Sequence, residues 1–174
     1  MTVELVPARD DDIEIVRNLV TFYIYDLSEF GRWDVNEKGT FGLPAGIGNY
    51  WSGGEGPHWK PHWQGFPFLV RVDGEIAGFA LVKRIAESPP AYDMGEFFIL
   101  RKFRRSGVGE QTACTLFNRF RGQWDVREMP VNLPAQNFWR RIIARYTQND
   151  FTEAREIFPE YGAEFVIQRF QSRG

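Results

Sequence analysis

The stretch from Met94 to Phe120 constrains the fold of this chain more than any other. Met94–Leu100 is a mostly apolar run of strand length, and it leads without a break into the basic arm Arg101-Lys102-Phe103-Arg104-Arg105. Ser106-Gly107-Val108-Gly109 follows, and then Val108, Ala113, Leu116, Phe117 and Phe120 recur on one helical face. Gly122 is placed to stop that helix, and Asp125–Val131 predicts another strand. Strand, helix and strand in immediate succession predict a parallel crossover in one sheet.

The remaining elements are antiparallel in character. Val3–Val6 is a short apolar start broken by Pro7, and Asp10, Asp11 and Asp12 offer carboxylates to the positive end of a helix. Ile13, Val16, Leu19, Val20, Tyr23, Ile24 and Leu27 predict that helix over roughly 11–28. Phe66–Val72 and Ile76–Ile85 flank Asp73-Gly74, a dipeptide suited to a hairpin turn because both turn positions need positive φ. Pro134 fits a first helical turn, and Ala135, Phe138, Trp139, Ile142, Ile143 and Tyr146 continue the helix. Phe151–Ile157 and Glu164–Phe170 predict two last strands. The expected fold is a mixed α/β (α+β) domain over 1–174, with a mostly antiparallel central sheet flanked by helices. Residues 31–65 are the exception: rich in Gly and Trp, without any period, they predict a functional loop or an insertion.

The glycine loop carries the chemistry. Gly107 and Gly109 permit conformations and approaches that a Cβ forbids, so loop N–H groups and the first N–H groups of the helix can converge on one point. Arg104 and Arg105 stand beside that point, and a pyrophosphate is the expected ligand. Glu110, Gln111 and Thr112 follow where a dinucleotide-binding fingerprint needs a third small residue, and no Gly-Lys-Ser/Thr completes a Walker loop. A plain turn with exposed arginines is the alternative.

Charge is unevenly spread. Residues 1–100 hold 8 Lys/Arg against 15 Asp/Glu, and 101–145 hold 10 against 3, so a polyanion fits the middle of the chain. No nucleic-acid motif accompanies it, and nucleic acid is not the expected partner. One cysteine, Cys114, leaves no disulfide framework and is read as a structural thiol in the helix after the loop. The start Met1-Thr2-Val3-Glu4 resembles no signal peptide, and no apolar run spans a bilayer, so a soluble cytoplasmic protein is expected. His58 and His62 lie four apart, but Pro57 and Pro61 oppose a helix there and no metal is expected.

Two segments together resemble a family. Arg104-x-x-Gly107-x-Gly109 at a strand-to-helix junction is similar to the Arg/Gln-x-x-Gly-x-Gly/Ala motif of the GNAT superfamily of N-acetyltransferases. Asn132-Leu133-Pro134-Ala135-Gln136-Asn137-Phe138-Trp139 resembles its Asn-x-x-Ala-x-x-Phe-Tyr segment, and the likeness covers roughly 66–146. The resemblance implies acetyl-CoA as co-substrate. Backbone groups of Phe97, Phe98 and Ile99 would pair with the pantetheine arm. The loop Arg104, Arg105, Ser106, Gly107, Val108 and Gly109 would hold the pyrophosphate, and Asn132 or Asn137 would contact the cofactor from the other side.

It also implies acetyl transfer to a primary amine of a small molecule or peptide, by direct attack in a ternary complex. Glu96, on the strand entering the site, is the expected base. The tyrosine that in many members stands near the thiolate is Trp139 here, and an indole cannot transfer a proton at neutral pH. Tyr146 is the substitute acid. Tyr23, Tyr25, Asp26 and Glu29, with 31–65, fall where the family builds its acceptor site, although that segment fits a homodimer contact equally. The missing tyrosine motivates a second reading, a non-catalytic acyl-CoA-binding module.

Overall fold

A computed structural model describes residues 1–173 apart from Leu43, Ala45, 53–62, 86–89, Glu160 and Tyr161. His58 and His62 therefore lie outside the described residues. The elements run β1 (Val3–Pro7), α1 (Ile13–Gly31), α2 (Asn49–Ser52), β2 (Trp63–Val72), β3 (Glu75–Ile85), β4 (Ala91–Ile99), α3 (Val108–Arg119), β5 (Gly122–Glu128), α4 (Leu133–Thr147), β6 (Phe151–Phe158) and β7 (Ala163–Ser172). They build one sheet in the order β1-β2-β3-β4-β5-β7-β6. All neighbours are antiparallel except β4 and β5, which α3 joins as the expected crossover. The mixed, mostly antiparallel sheet flanked by helices is thus the one the sequence predicts.

Strand alternation sorts the core onto two faces. Phe79 and Leu81 of β3 pack with Val16, Leu19, Val20 and Ile24 of α1, while Ala80 and Val82 pack with Leu116 and Phe117 of α3 and Ile142 and Ile143 of α4. Asp73 and Gly74 adopt φ of 49° and 83°, as a two-residue hairpin with positive φ at both positions requires.

Several boundaries differ from expectation, among them the start of β4, at Ala91 rather than Met94. Val3–Pro7 is an edge strand, and Pro7 is tolerated because it stands at the end of that edge. β2 begins three residues earlier than its apolar run, because Gly65 lets the Tyr50 backbone lie against the strand where no Cβ fits. β5 spans 122–128 rather than 125–131, since Pro130 ends it. Gly122 opens that strand instead of ending α3; with φ of 148° it passes close under the Pro90 carbonyl.

The pairing of β4 with β5 covers only Ala91↔Gln123 to Met94↔Val126. Beyond Met94 the two strands part, leaving Gly95–Ile99 without a sheet neighbour on that side. An aromatic cluster closes the paired end, where Tyr92 lies 5.5 Å from Trp124 and 5.3 Å from Phe120 between ring centroids.

Candidate active site

The basic arm grows from the end of β4. Ile99 and Leu100 lead into a 3-10 turn, Arg101–Phe103, and Gly107 takes φ of 87° to start α3 at Val108. At Gly109 an added Cβ would lie 3.0 Å from the Phe138 ring, so a glycine is what lets α3 and α4 approach here. Gln111 N–H, which donates to Gly107 O at 2.9 Å, is the first amide after Arg104 to find an acceptor among the described residues. The consecutive N–H groups from Arg105 to Glu110 have none among the described residues. They are aimed outward at a helix N-terminus, where an anion is stabilised by both donors and dipole. Val108 is buried beneath them and Ser106 Oγ donates to Phe103 O at 2.7 Å, which fixes the loop.

The two arginines have different situations. Arg104 Nε donates to Ile99 O at 2.6 Å, its guanidinium stacks 5.3 Å from the Phe98 ring, and it ion-pairs with Asp26. Asp26 also accepts from Arg101, at 2.7 Å. Asp26 therefore ties α1 to the arm and does not face Glu96. Arg105 is exposed, holds a positive φ of 62°, and has no ion-pair partner among the described residues. Much of the excess positive charge of 101–145 is internally matched, through Lys102–Glu75, Arg127–Asp93, Arg140–Glu153 and Arg145–Glu110.

Phe97 and Phe98 point to opposite faces. Phe97 packs on Phe138 and Trp139, with centroids 6.0 and 4.9 Å away, and Phe98 packs on Tyr23 and Phe79. Ile99 packs with Val108. Asn132 is the N-cap of α4, its Oδ1 accepting from Ala135 N at 3.1 Å. Asn137 is exposed and accepts from Arg140 at 3.1 Å. Gln136, which the sequence reading passed over, is buried and donates to Met129 O and Pro130 O at 3.1 and 2.9 Å, fastening α4 to the chain leaving β5. Asn132→Ala is expected to cost about 1 kcal/mol in urea unfolding, the usual worth of a cap, while acetyl-CoA affinity stays unchanged. A matching loss of affinity would make Asn132 a ligand contact.

Glu96 stands on the α1 face of the sheet because of a bulge. The register runs Leu81↔Glu96 and then Val82↔Met94, so Gly95 is unpaired. Strict alternation would send Asp93 and Glu96 to opposite faces; the extra residue brings them to the same one. Gly95 is needed there because the Tyr50 hydroxyl occupies the space a Cβ would fill. Glu96 is half-buried and accepts a hydrogen bond from the Tyr23 hydroxyl. Burial raises its pKa above the ordinary 4.5, against the lowering influence of Tyr23, Lys83 and Arg127, and Asp93 raises it further. Burial and then Glu96 hold the Tyr23 phenol well above its usual value, so it remains a donor.

Around Glu96 lie residues no motif pointed to. Asp93 is buried and ion-paired with Arg127 of β5, and its other oxygen has no hydrogen-bond partner among the described residues. Lys83 lies across the strand from Asp93, its ammonium 5.5 and 5.1 Å from the Tyr50 and Trp63 ring centroids. Asp125, Arg169 and Glu156 extend the network, with Arg169 bonded to Glu156 at 2.8 Å and to Asp125 at 3.4 Å. Alternation in Trp124-Asp125-Val126-Arg127 was the available signal, since polar residues recurring at every second position mark one wetter face.

Other expected residues are not gathered here. Tyr25 and Glu29 are exposed on the outer side of α1. Tyr146 packs on Phe117, and its hydroxyl bonds to Asn118 and Ser172, each at 2.9 Å. Ser172 pairs with Gly122, so Tyr146 sits at the end of β5 opposite the parting of the strands. Cys114 is half-buried in α3, where burial first and then Glu110 push its thiol up. Among the described residues no group of three or more His, Cys, Asp or Glu could hold a metal ion. Among the described residues no helix is long and apolar enough to cross a membrane.

Comparison with known proteins agrees with this geometry. A GNAT-family acetyltransferase from Staphylococcus aureus Mu50 superposes with a TM-score of 0.65 at 12% identity, over 99% of this chain and 100% of its own. An acetyltransferase from Salmonella typhimurium that modifies the N-terminal serine of ribosomal protein L7/L12 gives 0.61 at 16%, over 98% and 95%. A Bacillus subtilis acetyltransferase in complex with CoA gives 0.55 at 8%, over 97% of both chains. No curated protein matches the sequence. Residues 36–143 match the acetyltransferase (GNAT) family, and the chain belongs to that family, as an acyltransferase that uses acetyl-CoA.

Proposed function

We propose that the protein transfers the acetyl group of acetyl-CoA to a primary amine, by direct attack with both substrates bound. The observation that supports it most is the run of acceptor-free N–H groups from Arg105 to Glu110, set beside the unpaired edge of β4. The amides and Arg105 hold the pyrophosphate, and those backbone groups of the Phe97, Phe98 and Ile99 stretch that are not bonded to β3 or to Arg104 receive the pantetheine arm as an added strand. Acetyl-CoA supplies an acetyl thioester, and the transfer forms a C–N bond and breaks a C–S bond.

Glu96 accepts the proton that the amine must lose, directly or through water. Its raised pKa brings it nearer the working pH than an ordinary carboxylate, and so makes it a stronger base. The Tyr23 hydroxyl orients the carboxylate. No enzymic acid is assigned: Tyr146 is engaged with Asn118 and Ser172, and a thiolate with an ordinary thiol pKa leaves without one. The solved relatives act on amines of different size, and a protein N-terminus is among them.

Thermal unfolding with acetyl-CoA tests the cofactor site. At one hundred times its dissociation constant the ligand is expected to stabilise the protein by about 2.7 kcal/mol. A Gly107→Trp variant, which places an indole where the phosphates belong and strains the φ of 87°, is expected to lose that shift. An equal shift in the variant would move the cofactor elsewhere.

A further inference from the structure

Charge matching on the α1 face leaves two groups over. Asp93 is ion-paired with Arg127, and Arg169 is ion-paired with both Asp125 and Glu156. Glu96 and Lys83 remain. They are near neighbours on one face, since Leu81 pairs with Glu96 and Lys83 pairs with Asp93. They influence each other electrostatically but form no ion pair. Lys83 is half-buried, and among the described residues its ammonium meets only the faces of Tyr50 and Trp63. Aromatic faces attract a cation but accept none of its three N–H bonds in the manner of a carboxylate.

We propose that the acceptor is an amine bearing a carboxylate, an amino-acid-type zwitterion, whose amine meets Glu96 and whose carboxylate meets Lys83. This rests on the acetyl-transfer reading and narrows it. The two residues stand at the diagonal spacing of adjacent strands, roughly 7–8 Å between backbones, which suits an amine and a carboxylate a few bonds apart. A simple cationic amine would leave the Lys83 donors unmatched and would be repelled by that ammonium. The Tyr50 and Trp63 rings hold Lys83 in place and keep water from competing for it.

The test is a comparison of kcat/KM for the common amino acids, their amides and their decarboxylated amines. The wild type is expected to favour the best amino acid over its amide by about 10- to 100-fold, the usual worth of a charged hydrogen bond. Lys83→Met is expected to abolish that preference, chiefly through KM for the acid; Lys83→Arg is expected to keep it. Calorimetric binding of the N-acetyl product to the CoA-saturated protein is expected to show the same dependence on carboxylate and Lys83. Equal use of acid and amide by the wild type, or a preference that survives in Lys83→Met, overturns the zwitterion and leaves amine acetylation standing. Acetyl-CoA binding without turnover of any amine overturns both.

Discussion

Glu96→Gln is expected to lower kcat by about 10²- to 10⁴-fold, the usual contribution of a positioned base, with acetyl-CoA affinity unchanged. The substitution keeps the shape and still accepts from the Tyr23 hydroxyl, so packing at the bulge is preserved. What disappears is the site for the proton. The wild-type rate should also fall on acidification with a midpoint above 4.5, because burial and Asp93 raise the Glu96 pKa more than Tyr23, Lys83 and Arg127 lower it. That limb should be absent from the variant. A variant within a few-fold of wild type at neutral pH would remove Glu96 from the chemistry and leave it as a binding group.

Glu128→Gln is expected to stabilise the protein at alkaline pH and to do little at acid pH. Glu128, at the end of β5, is buried, and neither carboxylate oxygen has a hydrogen-bond partner among the described residues. Burial first, then the neighbouring Glu153, push its pKa up to about 8, while Arg140, already committed to Glu153, lowers it only in part. A raised acid holds its proton in the folded state after the unfolded chain has released it. The stability is therefore fully present below 4.5 and is lost as pH rises through about 8. At 1.36 kcal/mol per unit, the loss between pH of about 5.5 and about 8.5 is on the order of 3 kcal/mol. Urea unfolding at those two values should show wild type falling by that amount more than the variant. Parallel behaviour would mean that Glu128 ionises inside the fold at little cost.

The scaffold was legible where local patterning and tertiary structure agree. The hairpin at Asp73-Gly74, the amphipathic α1 and the crossover around Gly107 each follow from residues a few positions apart. The glycine loop at the start of α3 was legible for the same reason, since it comes from one continuous segment. The acceptor face was not, because it is assembled across strands. Whether Glu96 shares a face with Asp93 depends on one unpaired residue at Gly95, and Tyr50 reaches that place from a segment without any periodicity. Asp26 and Tyr146 stand on the helices the sequence predicted, yet their partners, Arg104 and Ser172, are far along the chain.

The short pairing of β4 with β5 also has a mechanical meaning. The two strands diverge from a common base, and the arm from Gly95 to Ile99, which β3 braces along its other side, is roughly 17 Å long at 3.3–3.4 Å per residue. A rotation of about 5° at the base would displace its tip by about 1.5 Å, more than a reacting pair of atoms tolerates without losing rate. The width of the fork is therefore set at its base, where Tyr92, Phe120 and Trp124 interlock, together with the brace from β3. A core residue in that cluster, lining neither arm, governs how far the two stand apart.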